Sequence, residues 1–182
     1  MATVNKLLFE NIDPRDYATD FEALQKFGFR KLDAFKEVIG FDEDSQGWVV
    51  VNKYHAVSGL FDELPTCAIL KKQGFRVELI AESNKTISAD AFVNDELYEM
   101  KRVSSAINLP RAIEKQLRLA YKKSENIVLH IDQPIDPNLL VAALRKAVFN
   151  HSGIKKVLLV WENKIRILTQ QEILASVWLK QK

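Results

Sequence analysis

From residue 47 onward, short β-branched runs alternate with longer stretches of helical spacing, and this order limits the folds open to the chain. "GWVVVNKYHAV" predicts a strand over Trp48–Tyr54, followed by a helix from about Asp62 to Gln73. That helix carries Leu64, Ala68 and Leu70, takes Pro65 in its first turn and is capped by Gly74. "FRVELIA" is the next strand, and "ADAFV-ND-ELYEMKRV" reads as two strands around an Asn-Asp turn. "LPRAIEKQLRLAYKK" is a helix opened by Pro110, "NIVLHI" a strand and "PNLLVAALRKAVFN" a helix. "KKVLLVWENKIRILT" turns back on itself at Glu162-Asn163, and "QQEILASVWLK" closes as a helix. The central order is helix, strand, strand, strand, helix, strand. It predicts an α/β fold with a mixed β-sheet flanked by helices.

The N-terminal part reads differently. Asp13-Pro14 opens a helix through Phe21, Leu24 and Phe27 to Gly28, and Leu32, Phe35 and Ile39 suggest a second helix ending at Gly40. The acidic, turn-rich "GFDEDSQG" then predicts a boundary between a helical N-terminal region, 1–46, and a second domain, 47–182.

Composition removes several classes of function. At 47% hydrophobic and 27% charged, the chain is that of a globular protein. Cys67 is its single cysteine, which excludes an internal disulfide and a cysteine zinc cage. His55, His130 and His151 lack metal-ligand spacing. No apolar run has membrane-spanning length and the N-terminus lacks a signal peptide's apolar segment, so a cytoplasmic protein with no membrane partner is expected. A net charge of +2 does not by itself mark a nucleic-acid binder, so the distribution of the basic residues matters.

The chemistry concentrates in "ISADAFVNDELYEMKR". Residues two apart on a strand share a face, so Glu99 and Lys101 project together, with Asp90 on the preceding strand. Phosphodiester hydrolysis needs an activated water and neutralisation of charge on phosphorus. Carboxylate-held Mg²⁺ serves both needs, and a lysine beside it orients the water. Asp90, Glu99 and Lys101 are of the types required, although a surface ion pair is the plainer reading of the same residues.

In this context of elements, the Asp–spacer–Glu-x-Lys pattern resembles the PD-(D/E)xK, restriction-endonuclease-like nucleases. The segments "WVVVNKYH", "ILKKQGFRVELIAE", "ADAFVNDELYEMKRVSS", "RAIEKQLRLAYKKSENIVLHI" and "KKVLLVWENKIRILTQQEI" together resemble the C-terminal tRNase domains of bacterial contact-dependent growth-inhibition toxins, over roughly 47–173. The proline usual before the first aspartate is Ala89 here. The resemblance implies Mg²⁺ or another divalent cation such as Mn²⁺, ligated by Asp90 and Glu99, with Lys101 activating water. It also implies an added acid from the first core helix, for which Glu63 is the candidate, and a glutamine from the following helix, for which Gln116 is. Glu63 reads equally as a first-turn acid at the helix dipole, and Gln116 as a rim residue.

Arg111, Lys115, Arg118 and Lys122 form a stripe on that later helix, either its solvated face or a phosphate track about 16 Å long. Arg102, directly after Lys101, is placed to touch a scissile phosphate, and His55 to position substrate. Three functions follow. The first is a toxin-type RNase acting on tRNA, with a cognate immunity or inhibitor protein as partner and delivery into another cell if it is part of a larger toxin. The second is a DNA-directed nuclease of the same fold from a phage or mobile element. The third is a non-catalytic nucleic-acid or protein-binding module that keeps the fold.

Overall fold

The computed structural model describes residues 36–52, 55, 57–81 and 89–176. The first expected helix, Asp13 to Gly28, lies outside them, as does the tail after residue 176. The described residues fall into two compact units, with 92–95 grouped with the chain before 82, and 89–91 grouped with the chain from 96 onward.

The first unit holds β1 (Lys36–Phe41), β2 (Trp48–Asn52), helix α1 (Val57–Lys72) and β3 (Arg76–Leu79). Strand β1 runs antiparallel to β2, and β2 parallel to β3. The helix expected through Phe35 and Ile39 is corrected here, because 36–41 is a strand. Val38 is buried against Trp48 and Val50, its partner across the ladder, and this cross-strand packing overrides the local helical spacing. The intervening turn is held by Asp42, whose side chain accepts from the Ser45 N–H and hydroxyl, both at 2.9 Å. Those bonds draw the Asp42 carboxyl below its usual range. Gly47 is required there, since a Cβ would meet the Lys71 carbonyl oxygen at 2.0 Å. Helix α1 begins five residues earlier than expected, so Pro65 sits in its interior instead of its first turn. Burial of Cys67 and Leu70 outweighs the hydrogen bond that Pro65 forfeits. Gly74, at φ +81°, ends the helix as expected.

A hairpin follows, β4 (Ala91–Val93) and β5 (Glu96–Val103), of which 92–95 are grouped with the first unit. Asn94 and Asp95, at φ 48° and 69°, form its two-residue turn, a conformation matching strand twist. The second unit continues with α2 (Leu109–Ala120), β6 (Asn126–Ile131), α3 (Pro137–Asn150), β7 (Lys156–Trp161), β8 (Lys164–Thr169) and α4 (Gln170–Ala175). Strands β5, β6 and β7 are parallel, and β8 returns antiparallel after Glu162-Asn163. Each unit therefore has a mixed sheet with helical cover, the α/β class expected. Three helices carry side-chain caps: Asn108 on α2, Asp136 on α3 and a Thr169–Glu172 capping box on α4.

Helices α2 and α3 are the crossovers between parallel strands, and both bury their apolar stripes on one face of the sheet. Ile113, Leu117, Leu140 and Leu144 meet Ile127, Leu129 and Ile131 in a continuous core. The ladder sets Glu99 beside Ile127 and Lys101 beside Leu129. The two charged residues of β5 thus stand on the face that α2 covers. No helix among the described residues is long and apolar enough to cross a membrane.

Candidate active site

Asp90 precedes β4 and is fixed to β5 twice. Its N–H donates to the Tyr98 carbonyl at 3.1 Å, and its Oδ2 accepts from the Met100 N–H at 2.9 Å. These bonds hold the carboxylate over the strand that carries Glu99 and Lys101. Lys101 Nζ donates to Glu99 Oε1 at 2.5 Å and to the Met100 carbonyl at 3.0 Å, and lies 3.7 Å from Asp90 Oδ2. The three residues that the sequence singled out come together within the second unit.

A fourth group completes the cluster. Lys123 Nζ lies 3.2 Å from Glu99 Oε1 and 3.6 Å from Asp90 Oδ1. It was missed because helical arithmetic stops being valid at Tyr121, the C-cap of α2. Past that cap the chain tightens, with the Lys123 N–H donating to Ala120 O at 2.9 Å, and Lys123 turns toward the sheet. The doublet Lys122-Lys123 just after an apolar helix was the available signal. It does not say which lysine turns inward.

Glu99 is fully buried, and its Oε2 has no hydrogen-bond partner among the described residues. Burial above all, with a contribution from Asp90, pushes its carboxyl up to about 7, against the pull of Lys101 and Lys123. For Lys123, partial desolvation acts downward, but the two carboxylates outweigh it and the net shift is upward. The raised carboxyl has a consequence for stability. Between about 4.5 and 7 the native state keeps a proton on Glu99 that the unfolded chain has lost, so stability from this group falls as pH rises through that window. In EDTA, the melting temperature of Glu99→Gln should therefore gain on the wild type between about pH 5 and pH 8. A difference that does not change with pH would mean Glu99 titrates in the ordinary carboxylate range.

The other expected residues are placed as follows. Glu63, on α1 in the first unit, is buried and bonded through Oε2 to His55 Nε2 at 2.6 Å, while His55 Nδ1 lies 2.6 Å from the Ile80 carbonyl. Both ring nitrogens of His55 thus face acceptors. Both contacts are satisfied at once when the imidazole carries two protons or the Glu63 carboxyl carries one. Gln116 is half-buried on α2, and its side chain makes no hydrogen bond among the described residues. Arg102 follows Lys101 and so takes the opposite face, where it is tied to Asp132 through Nε at 2.7 Å and through Nη2. Asp132 also receives the buried His130 at 2.9 Å. Arg111, Lys115 and Arg118 are exposed and, with Asn150 and His151, line a groove of about 540 Å³ between α2 and α3. Lys122 is exposed but does not line it. Cys67 is buried, which raises its thiol pKa and makes it a packing residue.

Residues 86–165 match the model of a protein family described as the contact-dependent growth inhibition CdiA C-terminal domain. The chain is similar to that family across this segment. The match covers less than half of the chain and is narrower than the span 47–173 over which the resemblance was read, but it contains Asp90, Glu99, Lys101 and Lys123. No curated protein matches the chain. Among solved structures, a CdiA-CT/CdiI toxin and immunity complex from Burkholderia pseudomallei aligns at a TM-score of 0.43 and 19% identity, over 59% of this chain and 81% of that one.

Proposed function

We propose that this protein is a toxin-type nuclease of contact-dependent growth inhibition that hydrolyses phosphodiester bonds of RNA, tRNA foremost, with a divalent cation. The observation that carries the reading is convergence: two separate ammonium groups each lie within 4 Å of both the Asp90 and the Glu99 carboxylates. Two carboxylates converging on one point are a donor set of the kind that a divalent cation takes. The buried Glu99 Oε2 without a hydrogen-bond partner among the described residues is an oxygen that a metal would satisfy. Among the described residues no third His, Cys, Asp or Glu joins them, which suits Mg²⁺ or Mn²⁺, ions that keep several waters and bind through one or two carboxylates plus substrate phosphate.

Asp90 and Glu99 would hold the ion, which when bound would lower the pKa of the attacking water and offset charge on the phosphate. Lys101, fixed by Glu99 and the Met100 carbonyl, orients that water and meets negative charge as it develops. Arg111, Lys115 and Arg118 would meet the backbone of the substrate along a groove that Glu114 also lines. Gln116, on α2, belongs to the proposal as a substrate-supporting residue, while Arg102 stands on the opposite face of β5 and pairs with Asp132. A nuclease active in the cytoplasm injures the cell that makes it. A cognate inhibitor protein is therefore part of the proposal, as is delivery into another cell.

The test is incubation of the purified full chain with tRNA and, separately, duplex DNA, in Mg²⁺ and in EDTA. Cleavage of tRNA that stops in EDTA and returns with Mg²⁺ or Mn²⁺ is expected. Cutting of duplex DNA alone would overturn the substrate, EDTA-resistant cleavage the metal, and no cleavage of either the enzyme reading.

A further inference from the structure

We propose that Lys123 is a second working cation of this site. It holds the Asp90 and Glu99 carboxylates together while no metal is bound, gives way when a divalent cation enters, and then contacts the phosphate of the substrate. The inference rests on the nuclease reading above and adds a residue to it.

The two lysines are held differently. Lys101 belongs to β5 and is tethered by Glu99 and the backbone carbonyl of Met100. Lys123 comes from the turn after α2, and its ammonium pairs with the two carboxylates and with no other charged group among the described residues. Its side chain is 39% exposed against 23% for Lys101. It has solvent access, and its backbone N–H is anchored to Ala120.

Charge requires that one of them move. With both carboxyls ionised, two carboxylates and two ammoniums balance in charge, although Glu99 Oε2 is left without a hydrogen-bond partner among the described residues. A divalent ion between the carboxylates would leave the cluster with two positive charges in excess and would face like charges a few ångströms away. The less tethered ammonium yields. The excess is then balanced by the anions of the reaction, a phosphodiester and the attacking hydroxide. A flexible lysine at the rim of the site is suited to a non-bridging phosphate oxygen, where a compact ammonium acts as a point charge.

The proposal predicts opposite effects on two measurements. Lys123→Gln removes the ammonium that competes with the metal, so Mn²⁺ alone, titrated calorimetrically into the 182-residue chain, should bind tighter by roughly fivefold or more. The same variant, saturated with Mn²⁺, should cleave about 10²-fold more slowly, with the loss in kcat. Lys123→Arg keeps a cation and should leave Mn²⁺ affinity near the wild-type value. A residue acting only in packing would not tighten metal binding while slowing cleavage. Circular dichroism and melting check that both variants fold, which the exposure of Lys123 favours. Unchanged or weakened Mn²⁺ affinity in Lys123→Gln overturns the competition. Tightened affinity with undiminished cleavage overturns the phosphate contact. Calorimetry needs no substrate, so a wild type that cuts no nucleic acid defeats the nuclease reading while leaving the competition to be decided by Mn²⁺ affinity.

Discussion

Glu99→Gln should abolish cleavage, by at least about 10²–10³-fold, while the fold survives. Glutamine keeps the shape of the side chain and its place in β5, so the ladder to β6 and the packing beside Ile127 are undisturbed. What disappears is charge at the point where Asp90, Lys101 and Lys123 converge. Without it the proposed cation would have a single carboxylate, and the bond that Lys101 donates at 2.5 Å would go to a neutral amide oxygen in place of an anion. The defect should appear in kcat, and raising Mg²⁺ should recover little of it. In a bacterial cytoplasm without an inhibitor, wild-type protein should arrest growth and Glu99→Gln should not. Full activity in a folded Glu99→Gln would remove Glu99 from the chemistry.

The largest loss of stability is expected in the core beneath α2. Leu117 is fully buried where that helix meets the sheet and α3, and Leu117→Ala should cost about 3–4 kcal/mol from lost burial and the cavity left behind. Leu119 lies two residues away, is 39% exposed, and its change to alanine should cost about 0.5 kcal/mol or less. Thermal melting of the two variants separates these cases by roughly 10 °C or more. The loss at Leu117 should also reach the site, because α2 carries the turn that delivers Lys123. Equal melting temperatures would mean that α2 does not bury its apolar stripe as described.

Much of this was legible in the chain, where the signal is local. Asn94, Asp95 and Asn163 are residue types that tolerate positive φ, so both hairpin turns could be read locally, although Glu162 also takes positive φ. Alternation along one strand was enough to put Glu99 and Lys101 on a common face, and the apolar period of α2 to put Ile113 and Leu117 in the core. Where partners are distant in the chain, local pattern had no purchase. Leu32, Phe35 and Ile39 have the spacing of a helix, but 36–41 form a strand, because pairing Val38 with Val50 buries what a helix there would leave to find another partner. Arg102 and Glu63 look available in the sequence. Only the register of β5 on β6 brings Arg102 to Asp132, and only the path of α1 brings Glu63 to His55. Lys123 is the sharpest case. Its neighbour Lys122 has the helical phase of a surface stripe, yet one residue past the cap the chain leaves that phase, and a lysine indistinguishable by composition becomes the fourth charge of the site.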